Sequence, residues 1–483
     1  MKSSLTKFIK THPYLVLFLA AISVLELLPA GTYGLINAAT MLPIHNLRLA
    51  VPEMNHVFAP FIGIPVYLST NHYLKQESIA LFSWGFLFVV FFAVIKKRYK
   101  KLPVYLTGYM IAFSLFVVYL LFTPFPLMKI VPDNSYCIVD PHSHTFYSHD
   151  GLVSPLQNLN WHVNQGFDAW FVTEHYNIKG GIAEQDLSMT TPYKSMIGEE
   201  VRVKDDPHYF LALGITGSVA GWCPDNCPST VKDLAGAVHK QGGALVLALW
   251  WMDGKIDLVH YIHDGVDAFE IANAGHKQKL TARVRTMAYR VSQKYHVPLL
   301  ASSDWHGWGN YAYTWTAFPI TGFTAYNLPQ LQHIIISMLR SKQNNGIIPV
   351  IYDYPRQYRG TARYLFAPFF DFYYYFSTLP FADYISWVVW TLLLWSSFTL
   401  YRKIHTMFFS DKPALLPYVC FIAAGLVSLF YAVRMIMEFT FIPVENTLLL
   451  TVIYGILFYS FGVLVVAVLW LYISTLKKKT KKE

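Results

Sequence analysis

Charged residues are scarce in this chain: they make up 14% of its 483 residues, where soluble domains carry about 25%. That deficit, with 54% hydrophobic residues, excludes an ordinary soluble pair of domains. Cysteine is scarcer still, at four residues. Cys223 and Cys227 share one loop, and no second cysteine pair exists to complete a zinc site with them. They form either a loop disulfide in an oxidising compartment or two free thiols. Cys137 and Cys420 lie in apolar surroundings and read as packing residues. A basic face on a folded domain is also missing. The formal charge of +9 sits beside apolar runs, at Lys96, Lys97, Arg98, Lys100 and Lys101 and again at Lys477 to Lys482. That is the pattern of cytoplasmic loops, so no nucleic-acid partner is expected.

What is present in quantity is long apolar sequence, and it lies at the two ends. About 20 apolar residues cross the hydrocarbon core as a helix. Six runs qualify, at 13–36, 78–95, 103–124, 380–400, 414–434 and 448–474. The first is too long for a signal peptide and lacks a small-residue cleavage site. The stretch 55–70 is short and holds Pro60 and Pro65, which suits an interfacial or re-entrant piece. The aromatic run from Phe369 to Phe376 reads as an interfacial belt.

Lysines set the orientation. Lys2, Lys7 and Lys10, the 96–101 cluster, Arg402 with Lys403, and the C-terminal lysines all fall on one side under this count. Arg356, Arg359 and Arg363 run against it. The expected division is a membrane region of three helices over 1–130, a soluble domain over 131–350, and a second region of three helices over 351–483. The chain is expected to be a multi-pass cell-membrane protein with its middle domain extracytoplasmic.

The middle alternates short apolar runs with amphipathic ones. Strands are predicted at Tyr136–Val139, Asp168–Val172, Lys194–Ile197, Tyr209–Leu213, Ala244–Leu249, Ala268–Ile271 and Pro298–Ala301. Helices are predicted at Pro155–Gln165, Thr230–Gln241 and Lys277–Tyr295. Alternating strands and helices suggest a parallel sheet or barrel. Polar residues cluster where these strands end: Asp140, His142 and His144; Glu174 and His175; Glu199 and Glu200; Ser303, Asp304 and His306. The C-terminal strand ends form the active face of an α/β barrel.

Residues at i and i+2 of a strand face the same side, so His142 and His144 can reach one ion. Asp304 and His306 repeat that spacing, and Glu200 can bridge. Imidazole suits zinc, manganese and iron, and carboxylates add charge. Two or three ions about 3.5–4 Å apart activate water and clamp attacking and leaving oxygens. Hydrolysis of a phosphate ester is the reaction class that fits.

The segments Asp140-Pro-His-Ser-His-Thr-Phe-Tyr-Ser-His-Asp-Gly151, Val172-Thr-Glu-His175, Gly198-Glu-Glu200 and Ser303-Asp-Trp-His306 resemble the signatures of the polymerase and histidinol phosphatase (PHP) superfamily. The resemblance covers roughly 135–345. It implies an α/β fold, a distorted (β/α)7 barrel set between the two membrane bundles, with up to three divalent ions. By that resemblance His142, His144, Glu200 and Asp304 would hold the first ion. Glu200 and His208 would hold the second. His149 or Asp150, with His175 and His306, would hold the third. Glu174 and Asp304 are the candidate catalytic residues, Glu174 by orienting a ligand from behind.

One position departs from the family. Where it has Ala-His-Pro, this chain has Leu249, so the second ion lacks a ligand that Asp253 or His276 would have to replace. His162 reads as a surface residue. His239, His260 and His263 read as packing or solvent-facing, and Lys194 and Arg202 as solvated cations. The expected function is a membrane-anchored, metal-dependent phosphoesterase. Its partners would be the bilayer and a phosphorylated small molecule or lipid-linked substrate. The alternatives are a metallohydrolase acting on a non-phosphate ester, or a metal-binding sensor domain of a transporter.

Overall fold

The structure is a computed structural model. It describes residues 10–408 apart from 29–33, 51, 70–73, 122–128, 132–134, 190, 205, 221–227, 250–255, 275–279, 308–312, 343–345 and 354–364, plus three single positions further on. The predicted spans 414–434 and 448–474, the Cys223–Cys227 loop, Asp253 and His276 lie outside the described residues.

The described strands are β1 (Gly34–Asn37), β2 (Arg48–Ala50), β3 (Lys129–Val131), β4 (Cys137–Ser143), β5 (Ala169–His175), β6 (Lys194–Arg202), β7 (Tyr209–Leu213), β8 (Ala244–Ala248), β9 (Ala268–Asn273), β10 (Leu299–Ser302), β11 (Thr314–Phe318) and β12 (Ile348–Asp353). Ten of them form one sheet in the order β1-β12-β11-β4-β5-β6-β7-β8-β9-β10, and β2 pairs with β3 separately. All seven predicted strands are present. β4, β8 and β9 are buried along their whole length, on both faces, which explains the continuous apolar sequence of β8 and the apolar start of β4. Several run further than predicted, so His142, Glu174, His175 and Glu200 lie within strand ends rather than after them.

The sheet curls. β4, β5 and β6 are parallel, as are β8, β9 and β10. The chain leaving β10 meets β4 again through a parallel bridge from Ser143 to Trp305. Asp304 N–H donates to the His142 carbonyl at 2.8 Å and His144 N–H to the Trp305 carbonyl at 2.9 Å. β7 corrects the expectation of parallel strands throughout: it runs antiparallel to both neighbours. Only residues 203–208 join β6 to β7, too few for a parallel crossover, which needs a dozen or more. The hairpin keeps the start of β7 at the rim where β6 ends.

Five strands escaped the sequence reading: β2 and β3, which pair with each other, and three of the large sheet. β11 pairs antiparallel with β4, β12 with β11, and β1 with β12. β1 comes from the run 13–36 assigned to the first span. The helix there stops at Glu26 after 14 residues, about 21 Å long and short of a 30 Å core.

Helix ends follow local chemistry. Pro155–Gln165 starts with a capping box between Ser154 and Gln157 and stops at Gly166, whose φ is 92°. A left-handed residue there suits glycine, which lacks a Cβ. Leu328–Arg340 carries a second capping box, between Asn327 and Gln330. Amphipathic helices cover the sheet, and their buried faces join its core: Leu234 and Val238 from one, Ile335 and Leu339 from another.

Outside the curled sheet stand the apolar helices Ala59–Ser69, Leu74–Ile95, Leu102–Leu121, Ala367–Ser377 and Phe381–Phe408. Two segments among the described residues are long and apolar enough to cross a membrane, Ser78–Ile95 and Phe381–Tyr401. Six were expected. Ala59–Ser69 has 11 residues and is too short to span. Leu87, Phe88 and Phe91 on Leu74–Ile95 point outward and are exposed.

Candidate metal centre

Four side-chain atoms converge at the mouth of the curled sheet. His142 Nε2 lies 3.0 Å from His144 Nε2, 3.3 Å from Glu200 Oε2 and 3.2 Å from Asp304 Oδ1. His144 Nε2 lies 3.3 Å from the same Glu200 oxygen and 3.2 Å from the same Asp304 oxygen. Ligands held 2.0–2.1 Å from a tetrahedral ion stand roughly 3.3 Å from one another. The two imidazole nitrogens, with either carboxylate oxygen, therefore already have the spacing of a coordination shell. Both imidazoles are fully buried, and Glu200 and Asp304 nearly so.

A second group adjoins the first. His175 Nδ1 lies 3.1 Å from Glu200 Oε2, and its Nε2 lies 3.4 Å from Asp150 Oδ1. His306 Nε2 lies 3.4 Å from Asp150 Oδ2. One Glu200 oxygen thus touches histidines of both groups, the place of a bridging ligand. Sequence left His149 and Asp150 as alternatives. Asp150 is the one that meets both His175 and His306, while His149, with its side chain 62% exposed, sits 3.7 Å from Asp150. His149 joins a grouping with Asp150 and His175 at the outer edge.

The buried atoms Asp304 Oδ1, Asp150 Oδ1 and His175 Nδ1 have no hydrogen-bond partner among the described residues. Buried polar atoms are almost always satisfied. Buried atoms away from the ligands, such as Glu184 Oε2 and Trp315 Nε1, also lack a partner among the described residues, and the three on candidate ligands fit divalent cations held by this donor set.

The groups behind the ligands fix which ring nitrogen is available. His142 Nδ1 donates to Glu270 at 3.1 Å. His144 Nδ1 lies 3.0 Å from Ser148 Oγ, whose hydroxyl donates to Glu174. His306 Nδ1 donates to the Asp304 carbonyl at 2.9 Å. Each arrangement leaves an Nε2 lone pair aimed at the site, as metal-binding histidines require.

Glu174 touches no candidate ligand directly. It takes the Thr145 N–H at 3.0 Å and the hydroxyls of Thr145 and Ser148. The structure makes it a positioning residue for His144, not a group that meets substrate. Asp140 plays a similar part for Asp304: it accepts from the Ser303 N–H at 2.9 Å and the Ser303 hydroxyl. Asp304 itself adopts φ 50°, a left-handed conformation that few residues other than glycine take and that asparagine and aspartate tolerate best. His162 corrects the surface reading. It is fully buried, stacks on Trp170 at 4.6 Å, and reaches Asp140 at 3.1 Å and the Asn158 carbonyl at 2.9 Å.

Sequence reasoning passed over Glu270 and Ser148. Glu270 carried a signal: it is the lone acid in the apolar run Ala268–Ala272, and a buried charge needs a partner.

Electrostatics follow from this crowding. Burial disfavours charge on His142, but Asp304, Glu270 and Glu200 outweigh it and hold the imidazole well above its usual range. For His306, burial is likewise overcome, by Asp150 and Asp304, which raise it to about 10. Asp304 drops to about 2 because His142 and His306 offset its burial. Glu174 has no such cation strong enough to overcome desolvation, and burial lifts it to about 7.

The remaining predicted ligand, His208, has its Nδ1 2.6 Å from Asp206 and 2.8 Å from the Tyr261 hydroxyl. It belongs to none of the three His, Asp and Glu groupings found among the described residues. Leu249 is fully buried in an apolar cluster, and its N–H donates to the Glu270 carbonyl at 2.9 Å. At the same rim Arg202 places its guanidinium 3.9 Å above the Tyr209 ring, which itself stands 6.2 Å from the His175 ring.

No family model and no curated protein matches the chain. Solved structures give distant likenesses. A protein from Bifidobacterium adolescentis assigned as a metal-dependent phosphoesterase aligns at 16% identity and TM-score 0.29, over 35% of this chain and 87% of its own. A two-domain protein from Bacteroides vulgatus, assigned a PHP-like metal-dependent phosphoesterase, aligns at 18% and 0.34, over 46% and 67%. An amidohydrolase from Chromobacterium violaceum, with sulfate bound and no metal, aligns at 14% and 0.29, over 45% and 98%. Likeness this remote carries no function across; the chain's own residues must do so.

Proposed function

We propose that this chain is a membrane-anchored, metal-dependent phosphoesterase of the PHP type. The observation that carries the reading is the buried pair His142 and His144 at coordination spacing from each other and from both Glu200 and Asp304, joined through Glu200 to His175, Asp150 and His306. Two or three divalent ions held there (zinc, manganese or iron) would supply Lewis acidity toward water and the phosphoryl oxygens. Glu270, Ser148 and Glu174 hold the histidine rings in one tautomer, so no reorganisation is needed when substrate arrives. Asp304, held ionised by its histidine neighbours, is the group placed to take a proton from the attacking water.

The apolar helices with outward-facing phenylalanines support anchoring in a bilayer, and the lysines of 96–101 support an extracytoplasmic barrel. A phosphorylated small molecule or a lipid-linked phosphate would then be the substrate. The test is turnover of p-nitrophenyl phosphate and bis-p-nitrophenyl phosphate by the detergent-purified protein loaded with manganese or zinc. Wild type should turn over at least one ester, and His142→Ala should lose it. Stoichiometric metal binding without hydrolysis of either ester would sink the reading. Accessibility of a cysteine placed in a barrel loop tests the orientation.

A further inference from the structure

We propose that Arg202, braced on Tyr209, is the anion clamp by which this site selects a phosphoryl group over a neutral ester. The inference rests on the phosphoesterase reading and names its specificity element.

Strand geometry places the residue. Arg202 follows Glu200 by two positions on β6, so both side chains project from the same face. It is also the last residue of β6, at the rim where the candidate ligands converge. Across the hairpin its partner is Tyr209, and directly opposed residues are the pairs that interact in an antiparallel ladder. The guanidinium lies 3.9 Å from the Tyr209 ring centroid. Tyr209 in turn stands beside His175. A chain of contacts therefore runs from the candidate centre to the cation: Glu200, His175, Tyr209, Arg202.

The guanidinium is positioned but not consumed. Stacking uses its flat face and leaves the N–H edge available. Among the described residues no carboxylate forms an ion pair with it, whereas carboxylates pair throughout the neighbouring histidine cluster. Arg202 is exposed to solvent, so an incoming ligand can reach it. An arginine fork matches two phosphoryl oxygens at once, and a neutral ester offers no negative charge to reward it. Lys194 also flanks the glutamate motif, but it starts the strand that Arg202 ends. Eight residues of strand separate them by roughly 26 Å, so Lys194 serves as a control.

The experiment compares p-nitrophenyl phosphate with p-nitrophenyl acetate on the full-length, manganese-loaded protein, with inorganic phosphate as a competitive probe. For Arg202→Met the KM for the phosphate ester and the Ki of inorganic phosphate should rise by about tenfold or more, with acetate turnover changed less than about twofold. Arg202→Lys, which keeps the charge and loses the fork, should recover part of the affinity. Tyr209→Leu should raise the phosphate KM through the loss of bracing, and Lys194→Met should match wild type. Equal losses on both esters, or an unchanged phosphate KM and Ki, would overturn the clamp. If Arg202→Met fails to fold, Arg202→Lys with an unchanged Ki overturns it instead. A wild type that turns over neither p-nitrophenyl phosphate nor bis-p-nitrophenyl phosphate removes the phosphoesterase reading and the clamp together. A wild type that does so with an indifferent Arg202→Met removes the clamp alone.

Discussion

His142 Nδ1 lies 3.1 Å from Glu270 Oε1, and both side chains are fully buried. The contact fixes the imidazole so that Nε2 faces His144, Glu200 and Asp304. Carboxylates in this position typically contribute 10–100-fold to metal affinity. Glu270→Ala should therefore weaken metal binding by about 10–100-fold, and Glu270→Gln, which keeps an acceptor, should restore part of it. Titration against a chromophoric chelator measures this. Unchanged affinity in Glu270→Ala would show that the pair is only packing.

Metal binding should strengthen as pH rises. Without metal, the carboxylates around His142 and His306 favour a proton on each ring, raising His306 to about 10 despite its burial. An ion must displace those protons, since ligands bind deprotonated. Zinc or manganese titrations at pH 6 and pH 8 should show tighter binding at pH 8 and proton release into the buffer. The metal-free fold should behave oppositely. His306 has a folded value above its unfolded one of about 6.5. Its contribution to stability is thus complete below about pH 6.5 and lost as pH climbs through about 10.

Gly180 tests the scaffold behind His144. A Cβ there would run into Glu174 and the Thr145 hydroxyl. On an open helix Gly→Ala gains about 1 kcal/mol, but overpacking a filled site costs about 1–3 kcal/mol. The steric term should win. Gly180→Ala should lower the thermal midpoint and reduce metal affinity through the displaced Glu174–Ser148–His144 chain. A raised midpoint would mean the site is slack.

Asp168 supplies a pH test away from the ligands. Burial lifts its carboxyl to about 7, although the Ile138 N–H bond pulls the other way. In the unfolded chain it titrates near about 3.9. The folded protein therefore holds a proton that the unfolded chain has lost between those values. Stability from this group is full below about pH 4 and falls as pH rises through about 7. Asp168→Asn keeps an acceptor for Ile138 and removes the titration. Its stability relative to wild type should improve from pH 5 to pH 8 in thermal denaturation. An equal offset at both values would contradict this.

The curled sheet and much of its rim were legible in sequence because both rest on local periodicity. Buried strands read as apolar runs, and i, i+2 pairs such as His142 and His144 declare a shared face. The strands β1, β11 and β12 were not legible: they join the sheet by antiparallel pairing outside the alternation of strand and helix, and β1 is embedded in apolar sequence that matches a membrane run. His162 was misread because a histidine on an amphipathic helix looks the same whether its partner is water or Asp140. Glu270 was hidden because its partner stands 128 positions away.

Sequence alone determined which residue types could bind an ion and at which strand ends they would lie, because side-chain chemistry and strand alternation are properties of adjacent residues. Only the tertiary structure decided which of them meet. Curling of the sheet brings Asp304 to within 3.2 Å of His142. The antiparallel turn into β7 sets Tyr209 under Arg202, and His208 pairs with Asp206 and Tyr261. The Asp304–His142 and Tyr261–His208 contacts depend on segments far apart in the chain, whose distances the packing of the whole core sets, while the β6–β7 turn depends on how its strands pair within the sheet.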